Sequence, residues 1–358
     1  MKDSILVKLL PKKDKYRIAI LANLRENSTR GLQVVSRKLA KGFIRNGHDV
    51  QVFSYLMQMN ALSYMPGKKW NKKYFQNKTD CLCCEILKSY QPDFILMPGY
   101  RLISQSSIAK FKDILPNTFF AGFYYDQLED MADDYVSTNK LMDAFMATGG
   151  GQPLATIAEK SGNIPAAFMP NPCDPDIERP YPDSHMPATE ILFPGKFSHK
   201  DYCHDGNREL LLKLLAKDYG LAHYGNGINP SIWGMDYYGA ISKTKIALSI
   251  NINNTYPMSH SNRLVNYLSC GAFVVASRVP KTELLYEDYK HLRYFDSNEE
   301  CVELIKYYLK NEQERNKIAA GGMAHAHENF NCQRVAKDMV DFLATGTYDA
   351  PWKDTYNV

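Results

Sequence analysis

A helix pattern that runs directly into an apolar strand pattern, between residues 259 and 285, limits the fold more than any other feature of this sequence. The apolar positions of the helix recur at helical spacing and predict a buried face: Leu264, Val265 and Leu268. The positions between them are expected on an outward face: Arg263, Asn266, Tyr267 and Cys270. Gly271 is expected to end the helix in the left-handed conformation. The AFVVAS run that follows has no polar face and predicts a strand of a parallel sheet.

The start of this helix is a candidate anion site. Ser259 or Ser261 can cap it, and Arg263 falls in its first turn. The first N–H groups of a helix lack intrahelical partners, and the helix dipole adds partial positive charge there. His260, just ahead of the helix, could also face an anion, although a single histidine is more often structural. An ordinary helix of a parallel sheet with a surface arginine explains the same residues.

Strand and helix patterns alternate through the first half of the chain. Residues 16–23 predict a buried strand, a loop follows, and residues 32–47 predict an amphipathic helix that leads into the next strand. This order predicts a right-handed βαβ unit, which places the loop at the carboxyl end of the first strand, where ligands bind. Arg30 and Gly31 of that loop are therefore candidate ligand-binding residues. The glycine fingerprint of dinucleotide sites is absent, which disfavours a nicotinamide enzyme.

A carboxylate ends a later predicted strand, in residues 117–127. Asp126 is expected at the carboxyl edge of the sheet, where it could act as a general base or orient a hydroxyl group. A turn-forming aspartate is the competing interpretation. Three further aspartates follow at spacings that indicate a solvated helix face rather than a metal site: Asp130, Asp133 and Asp134.

Prolines then divide the chain. The five prolines between residues 169 and 182 can neither continue a helix nor lie centrally in a sheet, which predicts a linker. Beyond it the alternation starts afresh, and two predicted strands end in glycine loops that are expected at one sheet edge: Gly195 with Lys196, and Tyr224 with Gly225. A lysine there can neutralise a diphosphate, while a plain surface loop is the alternative.

Composition limits the compartment and the partners. The 358 residues suffice for two domains, and 43 basic against 39 acidic residues give a net charge of +4, which is too mild to indicate a nucleic acid partner. No apolar run approaches the ~20 residues that span a bilayer, so we expect a cytoplasmic protein.

Two local clusters have competing interpretations. Cys81, Cys83 and Cys84 lie on one predicted helix without a matching His/Cys pair, so we expect reduced thiols and no metal site.

Lysines and aromatic residues interleave between residues 68 and 78. A solvated loop is favoured there, and peripheral contact with anionic lipid at the inner face of the membrane is the alternative.

The stretch SNRLVNYLSCGAFVVAS, with VPKTELL and the helices after it, resembles the carboxyl half of glycosyltransferases of the GT-B fold, most closely the CgeB-like branch. The resemblance implies an α/β protein in which two Rossmann-like domains, each a parallel sheet flanked by helices, face a central cleft. It implies an acceptor domain at residues 1–172, completed by a C-terminal helix in residues 334–358. A linker at residues 173–187 and a donor domain at residues 188–333 complete the expected organisation.

The resemblance also implies sugar transfer from a nucleotide-diphosphate sugar to a glycan, lipid-linked or protein hydroxyl, with retention and without a metal or other cofactor. The implied donor-binding residues are Gly195, Lys196, Tyr224, Gly225, His260, Ser261, Asn262, Arg263 and Asn266. Asp126 is the implied catalytic residue, and Arg30 and Gly31 face the acceptor or phosphate. The glutamates usual in the family are replaced by Met258 and Asn266. A catalytically inert nucleotide-sugar-binding protein is therefore the main alternative, ahead of a nicotinamide-dependent oxidoreductase.

Overall fold

The computed structural model describes residues 8–24, 34–63, 72–99, 103–126, 128, 133–195, 207–225 and 229–352. Some predicted features lie outside these ranges: Arg30, Gly31, Lys196 and residues 68–71. The chain divides into two compact units, one of Met1–Pro170 with Val335–Val358 and one of Asn171–Arg334. The residues expected to form a linker, 173–187, fall in the second unit, where Glu178 is fully buried.

The first unit contains a parallel sheet of six strands in the order β2-β1-β3-β4-β5-β6. Its strands are β1 (Arg17–Ala22), β2 (Asp49–Ser54), β3 (Phe94–Pro98), β4 (Phe119–Tyr124), β5 (Ala144–Ala147) and β6 (Ala166–Phe168). Its first helices are α1 (Val35–Arg45), α2 (Tyr55–Ser63), α3 (Lys72–Tyr90), α4 (Gln105–Ile114), α5 (Asp133–Asn139) and α6 (Gln152–Lys160). The apolar strands β3, β4 and β5 are buried throughout, as expected for the centre of a sheet that helices cover on both faces.

The second unit contains a parallel sheet of five strands in the order β11-β10-β9-β7-β8. Its strands are β7 (Thr189–Pro194), β8 (Leu221–Tyr224), β9 (Thr244–Ser249), β10 (Phe273–Ser277) and β11 (Arg293–Phe295). Its helices are α7 (Asn207–Asp218), α8 (Gly234–Ser242), α9 (Asn262–Ser269), α10 (Asn298–Lys310) and α11 (Glu312–Asn329). The two sheets with their flanking helices confirm the predicted α/β fold class.

The final helix, α12 (Cys332–Thr345), returns the chain to the first unit. The N–H of Leu10 donates to the carbonyl oxygen of Leu343 at 2.8 Å. Beyond the helix, the Tyr348 hydroxyl donates to the carbonyl oxygen of Phe168, and the Trp352 ring packs edge-on against the Phe168 ring. The predicted return of the C-terminal helix to the N-terminal unit is thereby confirmed.

The lysine-rich stretch is helical where it is described. Lys78 Nζ lies 4.8 Å from the ring centroid of Tyr74, and Tyr74 is 49% exposed on α3. Within the described ranges, no helix combines the length and the hydropathy needed to cross a membrane.

The expected outward face of α9 is wrong in part. Arg263 is partly exposed, but Asn266, Tyr267 and Cys270 are at most 2% exposed. Helix α11 packs against α9, and Tyr237 of α8 reaches Asn266, so neighbouring helices cover the face that local periodicity assigned to solvent. Helical spacing separates the two faces of a helix but does not reveal how many of them other elements cover.

Two contacts from α11 fix the position of α9. An added Cβ on Gly322 would lie 2.2 Å from the carbonyl oxygen of His291 and 2.7 Å from Leu268 Cδ2, so only glycine allows this close approach. At the other end of the contact, His327 Nε2 lies 3.0 Å from the carbonyl oxygen of Ser269 in the last turn of α9. The last turn of α9 is therefore held in place by α11.

We predict that Gly322→Ala destabilises the protein although alanine is the better helix former. Helix propensity alone would raise the free energy of unfolding by about 1 kcal/mol. The clash with His291 and Leu268 is expected to outweigh this and to lower the free energy of unfolding by about 1–3 kcal/mol. Urea unfolding of Gly322→Ala measures the sign, with the exposed Gln313→Ala in the same helix as control. A stabilised Gly322→Ala variant would show that the two elements are not in close contact.

Candidate functional site

The loop that follows β7 contacts the carboxyl end of the neighbouring strand β8. The N–H of Gly195 donates to the carbonyl oxygen of Tyr224, at the end of β8, at 2.9 Å. His223 Nε2 lies 2.6 Å from the carbonyl oxygen of Gly195. Burial lowers the pKa of His223, and the nearby positive charges of Arg208 and Arg263 lower it further. His223 is thus a neutral ring that donates its Nε2–H to the Gly195 carbonyl.

The Arg263 guanidinium lies across this edge. Its Nη1 donates to the carbonyl oxygen of Pro194 at 3.4 Å, and its Nη2 donates to the carbonyl oxygen of Ile250 at 3.2 Å. Its Nε donates to Ser261 Oγ at 3.2 Å, and the same hydroxyl caps α9 by accepting from the N–H of Arg263. One side chain therefore connects the end of β7, the segment after β9 and the start of α9.

Gly195 makes room for this arginine. An added Cβ at Gly195 would lie 2.3 Å from Arg263 Nη1, which is much closer than real atoms approach. Any other residue at this position would displace the guanidinium or the loop. The requirement for glycine here comes from close contact with a side chain and not from backbone conformation.

A second arginine, which the sequence analysis did not single out, lies at the same edge. The guanidinium carbon of Arg263 is 4.7 Å from the ring centroid of Phe193, and that of Arg208 is 5.2 Å from it. Arg208 is buried in the first turn of α7, the helix that follows β7 in sequence. Arg208 occupies the same position in α7 that Arg263 occupies in α9. The sequence signal that could have identified it is a basic residue in the first turn of a predicted helix.

The charge at this edge is positive and is not neutralised at Arg263. Among the described residues, no carboxylate forms an ion pair with Arg263, whose partners are backbone carbonyl oxygens and a hydroxyl. An arginine held by neutral acceptors keeps its full charge for an incoming anion. The edge defined by Phe193, Gly195, Arg208, His223 and Arg263 is called the arginine edge below.

The segment before α9 is held by two asparagines. The N–H of Ser261 donates to Asn251 Oδ1 at 3.2 Å, and Asn171 Nδ2 donates to the carbonyl oxygen of His260 at 3.2 Å. Met258, nearby, adopts a left-handed φ of 56° and is 1% exposed. A non-glycine residue in this conformation is strained, and such strain is concentrated at functional sites.

His260 differs from the charged group that an anion site would use. Its Nε2 lies 2.6 Å from Thr282 Oγ1, and the Thr282 hydroxyl donates to the Tyr294 hydroxyl. Burial lowers the pKa of His260 to about 3, so the ring is neutral at physiological pH. His260 therefore brings no positive charge to the start of α9.

Asn266 lies in the interior and not at an accessible edge. Only 2% of it is exposed, and its Nδ2 is 3.5 Å from the Tyr237 hydroxyl. Tyr237 is itself buried, and burial holds its pKa well above the ordinary value. The amide thus contacts a protein hydroxyl at the place where the resemblance implied contact with a ligand.

The glycine loop after β8 is locally constrained. Gly225 has a φ of +81°, its N–H donates to the carbonyl oxygen of Asn229 at 2.9 Å, and an added Cβ would lie 2.9 Å from Ser231 Oγ. Tyr224 is partly buried next to it. Tyr224 and Gly225 therefore share the sheet edge with Gly195, as their sequence position predicts.

Asp126 belongs to the first unit. It is exposed and follows the last residue of β4 by two positions, so it lies at the carboxyl edge of the first sheet. Its neighbour Tyr125 occupies the space beside Gly99, where an added Cβ would be 2.6 Å from the tyrosine hydroxyl oxygen. An accessible carboxylate at a strand end is compatible with proton transfer and with a turn.

Part of the chain matches a known protein family. The profile described as glycosyl transferase-like matches residues 207–341, which contain α7, α9 and the helices after them. Among curated proteins, none matches the sequence.

Solved structures share the fold over almost the whole chain. HepE of Anabaena, solved in complex with UDP-glucose, is 12% identical with a TM-score of 0.59 and covers 92% of this chain and 100% of its own. A glycosyltransferase from Rickettsia africae is 13% identical with a TM-score of 0.59, covering 94% of this chain and 100% of its own. Sucrose-phosphate synthase from Thermosynechococcus elongatus is 12% identical with a TM-score of 0.57, covering 90% and 97%.

At these identities the structural matches establish the fold, and the profile match covers the segment that contains Arg208, His223 and α9. The two findings agree with the resemblance that SNRLVNYLSCGAFVVAS indicated. Residues 207–341, which lie mostly in the second unit, are similar to the glycosyl transferase-like family, and the chain as a whole has the GT-B fold.

Proposed function

We propose that this protein is a glycosyltransferase that moves a sugar from a nucleotide-diphosphate sugar to an acceptor hydroxyl. One observation carries the proposal: Arg263, without a carboxylate partner among the described residues, is fixed at the carboxyl ends of β7 and β9 beside the start of α9. Carboxyl edges of parallel sheets and helix starts are where α/β proteins bind phosphates.

The chemistry of sugar transfer needs this charge. Breaking the bond to the diphosphate leaves negative charge on the phosphate oxygens, and positive groups that are already in place stabilise it without reorganisation. An arginine has five N–H donors, and the three bonds of Arg263 to Pro194, Ile250 and Ser261 leave one donor on each terminal nitrogen. We assign these donors, together with Arg208, to the departing diphosphate.

Two arginines at one edge also support transfer without a metal ion. A divalent cation in such reactions neutralises the leaving diphosphate, and Arg208 and Arg263 can supply that charge. We propose that turnover persists when divalent cations are removed with EDTA.

For the donor we propose a uridine diphosphate sugar as the first to test, because HepE was solved with UDP-glucose. For the acceptor we propose a hydroxyl of a glycan, lipid-linked or protein substrate in cell-surface glycan synthesis. We further propose a cytoplasmic location, with contact to the inner face of the membrane through residues 68–78. Exposed Lys73, Tyr74 and Lys78 on α3 support that contact.

We propose Asp126 as the group that orients or deprotonates the acceptor hydroxyl. Its exposure at the end of β4 supports this role, since a general base must reach the proton that it removes. Its position at a sheet edge is the one that an acceptor-side base requires.

A specific observation favours the inert alternative. Met258 and Asn266 replace the usual glutamates, and both are buried, at 1% and 2% exposure. The chain would then bind a nucleotide sugar without transferring the sugar. Incubation with UDP-, GDP-, ADP- and CMP-sugars separates the two functions, because an enzyme releases free nucleotide and an inert protein only binds. Binding of none of these donors would contradict both functions.

We predict that Arg263→Ala weakens binding of the cognate nucleoside diphosphate by about 1.5–3 kcal/mol, because charge-assisted hydrogen bonds are lost. Arg263→Lys is expected to recover only part of this, since an ammonium group cannot span the three partners of the guanidinium. Titration calorimetry measures the affinities, with the exposed Arg37→Ala of α1 as control. Unchanged affinity of Arg263→Ala would remove Arg263 from the site.

We predict that Asp126→Asn lowers turnover by a factor on the order of 100 and leaves donor affinity unchanged. Asparagine can form many of the same turn hydrogen bonds but cannot take a proton. Turnover at saturating donor and acceptor, beside a thermal melt, distinguishes the roles, with the exposed Asp113→Asn of α4 as control. Nearly normal turnover with a lower melting temperature would identify Asp126 as a turn residue.

A further inference from the structure

The start of α9 carries buried polar atoms that the arginine edge does not use. Among the described residues, four such side-chain atoms around His260 and Ser261 have no hydrogen-bond partner: Asn171 Oδ1, Asn251 Nδ2, His260 Nδ1 and Asn262 Oδ1. Asn251 is only 5% exposed. Buried polar groups are normally paired, so a group of them at one place indicates a ligand.

Backbone partners fix the orientation of two of these amides, those of Asn171 and Asn251. Asn171 uses its Nδ2 to donate to the carbonyl oxygen of His260, which leaves Oδ1 as the unpaired acceptor. Asn251 uses its Oδ1 to accept from the N–H of Ser261, which leaves Nδ2 as the unpaired donor. Neither amide can be turned without breaking a bond to the chain.

The His260 tautomer follows in the same way. The Thr282 hydroxyl donates its proton to Tyr294, so its oxygen accepts from His260 Nε2–H at 2.6 Å. The remaining nitrogen, Nδ1, then carries a lone pair and no proton. The pKa of about 3 that burial gives His260 keeps the ring in this neutral form.

Acceptors therefore predominate, with one donor. Phosphate and carboxylate oxygens at neutral pH only accept hydrogen bonds, so a cluster rich in acceptors does not suit them. Sugar hydroxyls donate and accept, and they suit both kinds of atom. At the start of α9 the two functions are thus adjacent in sequence, with Arg263 suited to anions and His260 to hydroxyls.

We propose that His260 Nδ1, with the side-chain oxygens of Asn171 and Asn262, accepts hydrogen bonds from hydroxyls of the donor's sugar and selects an uncharged sugar over one that bears a carboxylate. The inference rests on the proposed function and adds the sugar class to it. Asn251 Nδ2 supplies the single donor, to a sugar oxygen.

The test compares two variants that separate the nitrogens of His260. In His260→Asn a short amide can place an acceptor near the Nδ1 position, whereas in His260→Gln the longer amide reaches the Thr282 position and leaves Nδ1 unreplaced. Titration calorimetry uses UDP, UDP-glucose and UDP-glucuronate. ADP or GDP with their glucose derivatives replace these if the wild type does not bind uridine compounds.

The wild type is expected to bind UDP-glucose more tightly than UDP or UDP-glucuronate. His260→Gln is expected to weaken UDP-glucose binding by about tenfold with UDP affinity unchanged, as for the loss of one hydrogen bond. His260→Asn is expected to retain most of the preference. The control is His185→Gln. The His185 ring is exposed and pairs with Asp236 at the surface, so this substitution should leave the affinities for UDP and UDP-glucose unchanged.

A second variant covers the case in which His260→Gln does not fold. Thr282→Val keeps the imidazole but removes the acceptor that fixes its tautomer, and we expect it to lower the preference for UDP-glucose over UDP. An unchanged preference in both variants would show that Nδ1 meets water only, and would overturn this inference while the proposed function stands. Equal losses for UDP and UDP-glucose would also overturn it. A wild type that binds none of the nucleotides would overturn the proposed function itself.

Discussion

The structure of the candidate site depends on the contact of one guanidinium with the ends of parallel strands. Arg263 donates to carbonyl oxygens at the end of β7 and just beyond β9, and it also bonds the serine that caps α9. The carbonyl oxygens are available because parallel strands end at this edge. Gly195 is required because its backbone lies against the arginine.

Around this contact, positively charged groups and neutral polar groups occupy different parts of the site. Arg208 and Arg263 flank the Phe193 ring, and their fields help to keep His223 neutral. In the segment just before α9, burial keeps His260 neutral and leaves acceptor atoms unpaired. A nucleotide-sugar donor suits both parts of this site, because its diphosphate is anionic and its sugar carries neutral hydroxyls.

Local patterns predicted much of the fold and part of the site. The bounds of α9, the buried β10 and the glycine loops after β7 and β8 followed from spacing and from residue type. Features that depend on residues distant in the sequence could not be predicted from local patterns. Asn266 is interior because α8 and α11 cover it, and His260 is neutral because Thr282, Tyr286 and Tyr294 surround it. Arg208 was missed because its partner ring lies on another element.

A double-mutant cycle between Gly195→Ala and Arg263→Ala tests the central claim most directly. If Gly195 serves to seat Arg263 for the diphosphate, Gly195→Ala weakens binding of the nucleoside diphosphate by displacing the guanidinium. The double variant should then bind no more weakly than Arg263→Ala alone, because the two substitutions remove the same interaction. Losses of affinity that add would contradict the account, since Gly195 would then act on the ligand independently of Arg263.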